Sequence, residues 1–211
     1  MHRGLRRLTP PLALLALAAS ACNEYPVEHC FAGQGISLDD GDAPLLGPET
    51  AEVELTIFGD FQCPGTAQLW FGLAPFLERL AADGRGGALA VRFHHFPLTS
   101  IHARALAASL AAAAAHRQGD DAFWRIFPML LKPAEGLTDA HLASYAAAAG
   151  LDTAQFAVDL ESEEVAETVA DDAALAGSLG LAGTPSVLLC GVPISPDPGD
   201  IADNLEYLIT D

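Results

Sequence analysis

The spacing of apolar positions changes several times along the chain, and each change marks an element. Residues 53–58 read VELTIF, a β-rich run with partial alternation that predicts a strand. Over 67–82, Leu69, Phe76, Leu77 and Leu80 recur at helical spacing, with a kink expected at Pro75. Gly84-Arg85-Gly86-Gly87 breaks that helix, and 89–96 reads as a second strand. Residues 100–150 are helical and Ala-rich, with Thr138 as an N-cap and Gly150 as a stop. Ser162 caps a further helix whose first acids, Glu163 and Glu164, suit the positive end of its dipole. Val165, Val169, Ala173, Ala176 and Leu179 form its apolar stripe, and Gly180 ends it. Residues 186–189 are an unbroken apolar strand, and a last helix runs from about 200 to 208. Upstream, residues 23–50 are rich in Gly, Pro and acids and read as a tether entering an extended segment at 36–38. Strand, helix, strand, helices, strand, helix is the order of an α/β sheet with a helical insertion.

The first 22 residues do not belong to that pattern. Arg3, Arg6 and Arg7 precede an apolar run over 12–17, followed by small residues. The run is shorter than the ~20 residues a bilayer span needs, so it reads as a secretory signal. Ala19-Ser20-Ala21-Cys22 resembles a bacterial lipoprotein box, in which Cys22 is acylated and becomes the mature N-terminus. Ordinary cleavage near Ala21, leaving a free exported protein, is the alternative. The expected parts are a signal at 1–21, a tether and lead-in strand at 22–50, and a domain at 51–211 with its insertion at about 99–152. Asn23 stands where Asp would favour inner-membrane retention, so a lipid anchor in the outer membrane is expected.

Composition narrows the function classes. Hydrophobic residues make up 51% of the chain and charged residues 18%, enough for a packed core. Ten basic residues against 28 acids give a net charge of −18, which argues against a nucleic-acid partner. There is no Gly-rich phosphate loop and no Ser/His/Asp signature, so no cofactor is expected. His94 and His95 are adjacent on a predicted strand and point to opposite faces, so a metal site is not expected there. One of the two should be buried and the other exposed.

The cysteines carry the chemistry. They are Cys22, Cys30, Cys63 and Cys190. Export permits disulfides, but if Cys22 is acylated the remaining three cannot all pair. Cys63 follows a strand and starts a helix in Phe58-Gly59-Asp60-Phe61-Gln62-Cys63-Pro64, where unpaired backbone N–H groups favour a thiolate. A buried structural cysteine is the alternative reading. Gly183-Thr184-Pro185 immediately precedes the apolar strand at 186–189, which makes Thr184–Pro185 a candidate cis bond.

Over roughly residues 36–211 the chain resembles the DsbA-like branch of the thioredoxin superfamily. The resemblance is carried by Gly47-Pro48, the Phe58-to-Pro64 stretch, VRFHHFPL at 91–98, Ile101-His102, Phe123-Trp124, Leu179-Gly180 and Gly183-Thr184-Pro185, in order and at matching spacing. It implies a thioredoxin fold: a mixed central sheet flanked by helices, with a helical insertion. It implies that Cys63 is the attacking thiol, that Pro64 and Gly183 belong to the substrate groove, and that the backbone at Thr184 beside cis Pro185 pairs with an extended substrate. Two positions depart from the family pattern. The Cys-x-x-Cys site is here Cys63-Pro64-Gly65-Thr66, and the strand carboxylate six residues before the nucleophile is here Ile57. Without a second thiol to deprotonate, a buried carboxylate would only carry a desolvation cost, so the two losses are consistent.

The expected function is therefore single-thiol exchange on extracytoplasmic protein thiols or disulfides, with Thr66 as a weak partner of Cys63. The alternative is a redox-silent binding module that keeps the peptide groove. The strand directions implied by the resemblance make the first extended segment parallel to its neighbours. They place Cys190 and Cys30 together at the pole away from Cys63. A structural Cys30–Cys190 disulfide is expected, with Cys30–Cys63 as the rival pairing.

Overall fold

The computed structural model describes residues 35, 36, 38 and 42–210. The expected signal at 1–21, the expected acylation site Cys22, and Cys30 lie outside them. Five strands are described: β1 (Leu45–Leu46), β2 (Val53–Gly59), β3 (Leu89–His95), β4 (Ser186–Leu189) and β5 (Val192–Ile194). They lie in one sheet in the order β1-β3-β2-β4-β5. The helices are α1 (Pro64–Ala82), α2 (Ala105–His116), α3 (Asp120–Leu130), α4 (Asp139–Ala148), α5 (Thr153–Leu160), α6 (Glu163–Ser178) and α7 (Pro198–Thr210). The sheet is mixed: β2 pairs with β3 in parallel, and with β4 antiparallel. This is the α/β thioredoxin architecture, with α2 to α5 inserted between β3 and α6.

The element starts follow from local chemistry. Pro64 occupies the first turn of α1, where its missing N–H removes no helical bond. Thr138 accepts from the His141 N–H at the start of α4, and Ser162 accepts from the Val165 N–H at the start of α6. Gly150 and Gly180 follow their helices with φ +72° and +69°, the left-handed backbone that stops a helix. Pro75 does not interrupt α1, which runs as one element from Pro64 to Ala82. The lead-in does supply a strand, but it is β1, and it runs antiparallel to β3. Of the segment at 36–38 expected to run parallel, the described residues Ile36 and Leu38 are not in a strand; the Ile36 N–H donates to Gly191 O at 3.0 Å.

Both faces of β2 and β3 are covered, so these strands are buried almost throughout. On one face Ile57, Phe93 and Val187 pack with the helices into the main core. There Phe93 lies against Phe61 at 5.2 Å and Phe127 at 4.9 Å between ring centroids, and Trp70 stacks on Trp124 at 5.3 Å. Truncating one such phenylalanine to alanine costs about 3–5 kcal/mol. On the other face a smaller cluster joins Phe58 and Leu188 to Ala176 of α6.

This double cover corrects the expectation for the two histidines. They do point to opposite faces, yet both are buried. His94 stacks on Phe58 at 4.8 Å, and its Nδ1 lies 2.7 Å from Asp172 Oδ1. Asp172 Oδ2 accepts the His95 backbone N–H at 2.8 Å. The His95 ring sits among Phe61, Phe93 and Phe123, and neither ring nitrogen has a hydrogen-bond partner among the described residues. Burial pushes its pKa from 6.5 down to about 4, against the opposing pull of Asp172. Folding therefore favours the neutral ring. The stabilisation is complete above pH ~6.5 and falls as pH drops, the loss reaching about 3 kcal/mol by pH 4. Denaturant unfolding of wild type and His95→Phe at pH 7 and pH 4 tests this. The variant should lose less stability than wild type on acidification; equal losses would reject the assignment.

Candidate active site

Cys63 is the last residue before α1, in extended conformation, and is a partly exposed free thiol. β2 delivers it there: the strand ends at Gly59, and a turn closes with the Cys63 N–H donating to Asp60 O at 3.0 Å. Gly59 is required at this point. A Cβ would stand 2.5 Å from Phe93 Cε2, so only glycine lets the strand end pass the aromatic ring.

The second half of the site arrives from 121 residues away. Phe58 is paired with Ser186 across β2 and β4, which puts the residues before Ser186 beside the end of β2. The Thr184–Pro185 bond is cis. The Ser186 hydroxyl donates to Gly183 O at 2.7 Å and closes that turn. The Cys63 Sγ–H donates to Thr184 O at 3.2 Å. A Cβ on Gly65 would lie 2.9 Å from Pro185 Cδ and 3.6 Å from Cys63 Sγ, so the first turn of α1 packs directly on the proline. Cys63, Gly65, Thr184 and Pro185 thus form one constellation, with the exposed Pro64 next to the thiol.

Thr66, expected as a weak partner of Cys63, begins the buried side of α1. Its side chain is buried, and its hydroxyl accepts from the Asp60 N–H at 3.4 Å; the thiol hydrogen goes to Thr184 instead. Ile57 is buried opposite Phe93 and Val187, a setting with no room for hydrated charge. Cys190 lies at the other pole. Its N–H donates to Glu54 O at 2.8 Å, at the start of β2, about 16 Å of strand from Gly59 at ~3.3 Å per residue. Cys190 is disulfide-bonded while Cys63 is free, so Cys63 is not paired with Cys30.

Two residues near the thiol escaped the sequence reading. Asp60 is fully buried three residues before Cys63, and its Oδ2 lies 2.7 Å from His102 Nδ1. The available signal was an acid flanked by Gly59 and Phe61 at a strand-to-helix turn. In the sequence His102 stands only within the Ile101-His102 pair, with nothing local to mark its partner. Among the described residues no group of three His, Cys, Asp or Glu side chains is placed to hold a metal ion.

Residues 54–208 match the model of the DSBA-like thioredoxin domain. A probable disulfide bond formation protein D of Bacillus anthracis is 30% identical over 159 residues, covering 72% of this chain and 71% of that protein. A Na(+)/H(+) antiporter NhaA 3 of Salinispora tropica is 33% identical over 158 residues, 74% of this chain. The chain spans only 23% of the length of that antiporter. Among solved structures, oxidised BdbD of Bacillus subtilis superposes with a TM-score of 0.70 at 21% identity, over 82% of this chain and 96% of that one. With its mixed sheet, its thiol at the start of α1 and its cis Pro185, the chain belongs to the DsbA-like thioredoxin family.

Proposed function

We propose that this chain is an exported, lipid-anchored protein that performs thiol–disulfide exchange with one thiol, Cys63, on extracytoplasmic proteins. The observation that carries the reading is the free, partly exposed Cys63 at the start of α1, facing the Thr184 carbonyl beside Pro185. The thiolate is the attacking species in such exchange. The backbone flanking Pro185, with Pro64 and Gly183 at the rim, offers edge groups to an extended peptide.

The exchange runs in two balanced steps. Cys63 thiolate attacks one sulfur of a substrate disulfide; the Cys63–substrate bond forms as the substrate bond breaks, and the other sulfur leaves as a thiolate that takes a proton from water. A second thiol, either the substrate's own or a small-molecule thiol, then attacks the mixed disulfide and returns Cys63 to the thiolate. Thr66 supplies no resolving sulfur, and Cys190 is committed to a disulfide at the far pole. Cys30 is the partner we assign to Cys190. The lipid anchor at Cys22 and an outer-membrane destination rest on the signal in residues 1–22.

Incubated with oxidised glutathione, the purified chain should form one mixed disulfide, mapping to Cys63, that an added thiol releases. Absence of the adduct would favour the alternative of a redox-silent peptide-binding module.

The natural chain should show near-background dithiol oxidation of a reduced, unfolded protein. Thr66→Cys should raise that activity in part, and adding Ile57→Glu should raise it further, because it places a proton acceptor near the new thiol. The double variant should also be less stable, because the new carboxylate is buried. Strong oxidation by the natural sequence without added thiol would contradict single-thiol chemistry.

Intact-mass analysis of the protein from its native host should show residues 1–21 removed and acyl mass on Cys22. An unmodified N-terminus downstream of Cys22 would exclude the anchor.

A further inference from the structure

One carboxylate holds the thiol-bearing turn from beneath. Asp60 is fully buried. Its Oδ1 accepts the Gln62 N–H at 2.8 Å, and its Oδ2 accepts the Leu98 N–H at 2.9 Å. The same Oδ2 meets His102 Nδ1 at 2.7 Å; with both oxygens already accepting, we place the proton on Nδ1. The Asp60 carbonyl accepts the Cys63 N–H, and the Asp60 N–H reaches Thr66 Oγ1. Gln62 adds a parallel tie, its Oε1 accepting the Arg104 N–H at 2.7 Å. The turn at 60–62 is thus bonded to the segment 98–104 at three points.

A residue needed only to close a turn can be a surface Asp, Asn or Ser. Asp60 is instead a buried acid, and such a group is tolerated only when donors surround it. Here the donors come from two separate chain segments and converge under the nucleophile. That arrangement locks a mount, because a fully satisfied buried polar network rigidifies what it joins.

We propose that Asp60 is a positioning residue for Cys63, which with His102 clamps the thiol turn to the 98–104 segment and so fixes Sγ at the Thr184–Pro185 rim. The inference rests on the exchange reading. Attack on a disulfide needs the three sulfurs nearly in line, so the direction of Sγ matters there more than in reaction with a small electrophile. Asp60 takes no part in the bond changes; it sets where the attacking sulfur stands.

The test compares two reactions of the purified full chain. One is alkylation by iodoacetamide, which approaches from any open side. The other is attack on a disulfide within an extended peptide, which must dock beside Pro185. Asp60→Asn keeps the Oδ1 acceptor but opposes the Leu98 and His102 donors with an amide. It should slow attack on the peptide disulfide by about tenfold while alkylation changes by less than about threefold. His102→Gln removes one donor from a side chain that is 16% exposed, and should give a smaller fall in the same ratio. Rates of the two reactions that move together, or a shared shift of both pH profiles with the ratio unchanged, would overturn positioning. If Asp60→Asn does not fold, the ratio in His102→Gln decides, and an unchanged ratio overturns the proposal. A wild-type chain that alkylates at Cys63 but never attacks the peptide disulfide refutes the exchange reading separately. The clamp is then judged by amide hydrogen exchange at Gln62 and Leu98: faster exchange in Asp60→Asn, with the rest of β2 unchanged, supports it, and equal rates overturn it.

Discussion

The register between β2 and β4 is the constraint on which the site depends. Phe58 faces Ser186 and Leu55 faces Leu189, so the strand that follows Pro185 lies antiparallel against the strand that leads to Cys63. This one pairing brings the cis proline to the end of β2 and carries Cys190 to its start. A slip by one residue would turn Val187 and Leu188 to the wrong faces of the sheet, so two-sided burial protects the register. The 3.2 Å contact between Cys63 Sγ and Thr184 O is a consequence of strand pairing rather than of any local motif.

Covering both faces of the sheet has chemical consequences. It buries His95 among aromatic rings, with no hydrogen-bond partner among the described residues, and favours its neutral form. It buries Ile57 where a carboxylate would need donors that the surrounding Phe93 and Val187 do not provide. Near the sheet's end, buried Asp60 takes donors from its own turn and from the 98–104 segment, while half-buried Asp172 meets the His94 ring and the His95 N–H of β3. At both acids backbone N–H groups and an imidazole supply the hydrogen bonds that a carboxylate taken out of water requires.

The described site holds one free thiol, Cys63, at the start of α1 beside Pro185. Thr66 stands where a second thiol would, but its hydroxyl is turned to the Asp60 N–H and contributes to the turn. Gly65 leaves the first turn of α1 close on Pro185, so the thiol and the proline form a continuous edge. In the exchange reading proposed above, the partly exposed thiol and the partly exposed backbone at Gly183 to Pro185 are the two groups an extended substrate would meet.

By itself the sequence determined the elements and their starts: the strand over 53–58, the caps Thr138 and Ser162, the stops at Gly150 and Gly180, and the thiol at a strand-to-helix turn. Each depends on residues within a few positions of one another, and periodicity and capping act at that range. Tertiary structure decided what depended on pairing across the chain. The lead-in strand became β1 at Leu45–Leu46 and ran antiparallel, because strand direction is set by the neighbour and not by composition. His94 and His95 were both buried, because alternation tells which face a side chain takes but not whether that face is covered. Asp60 and His102 are 42 residues apart and meet only because the 98–104 segment folds back on the end of β2. Nothing local to either residue could announce that contact, since a buried carboxylate acquires its partners from the fold.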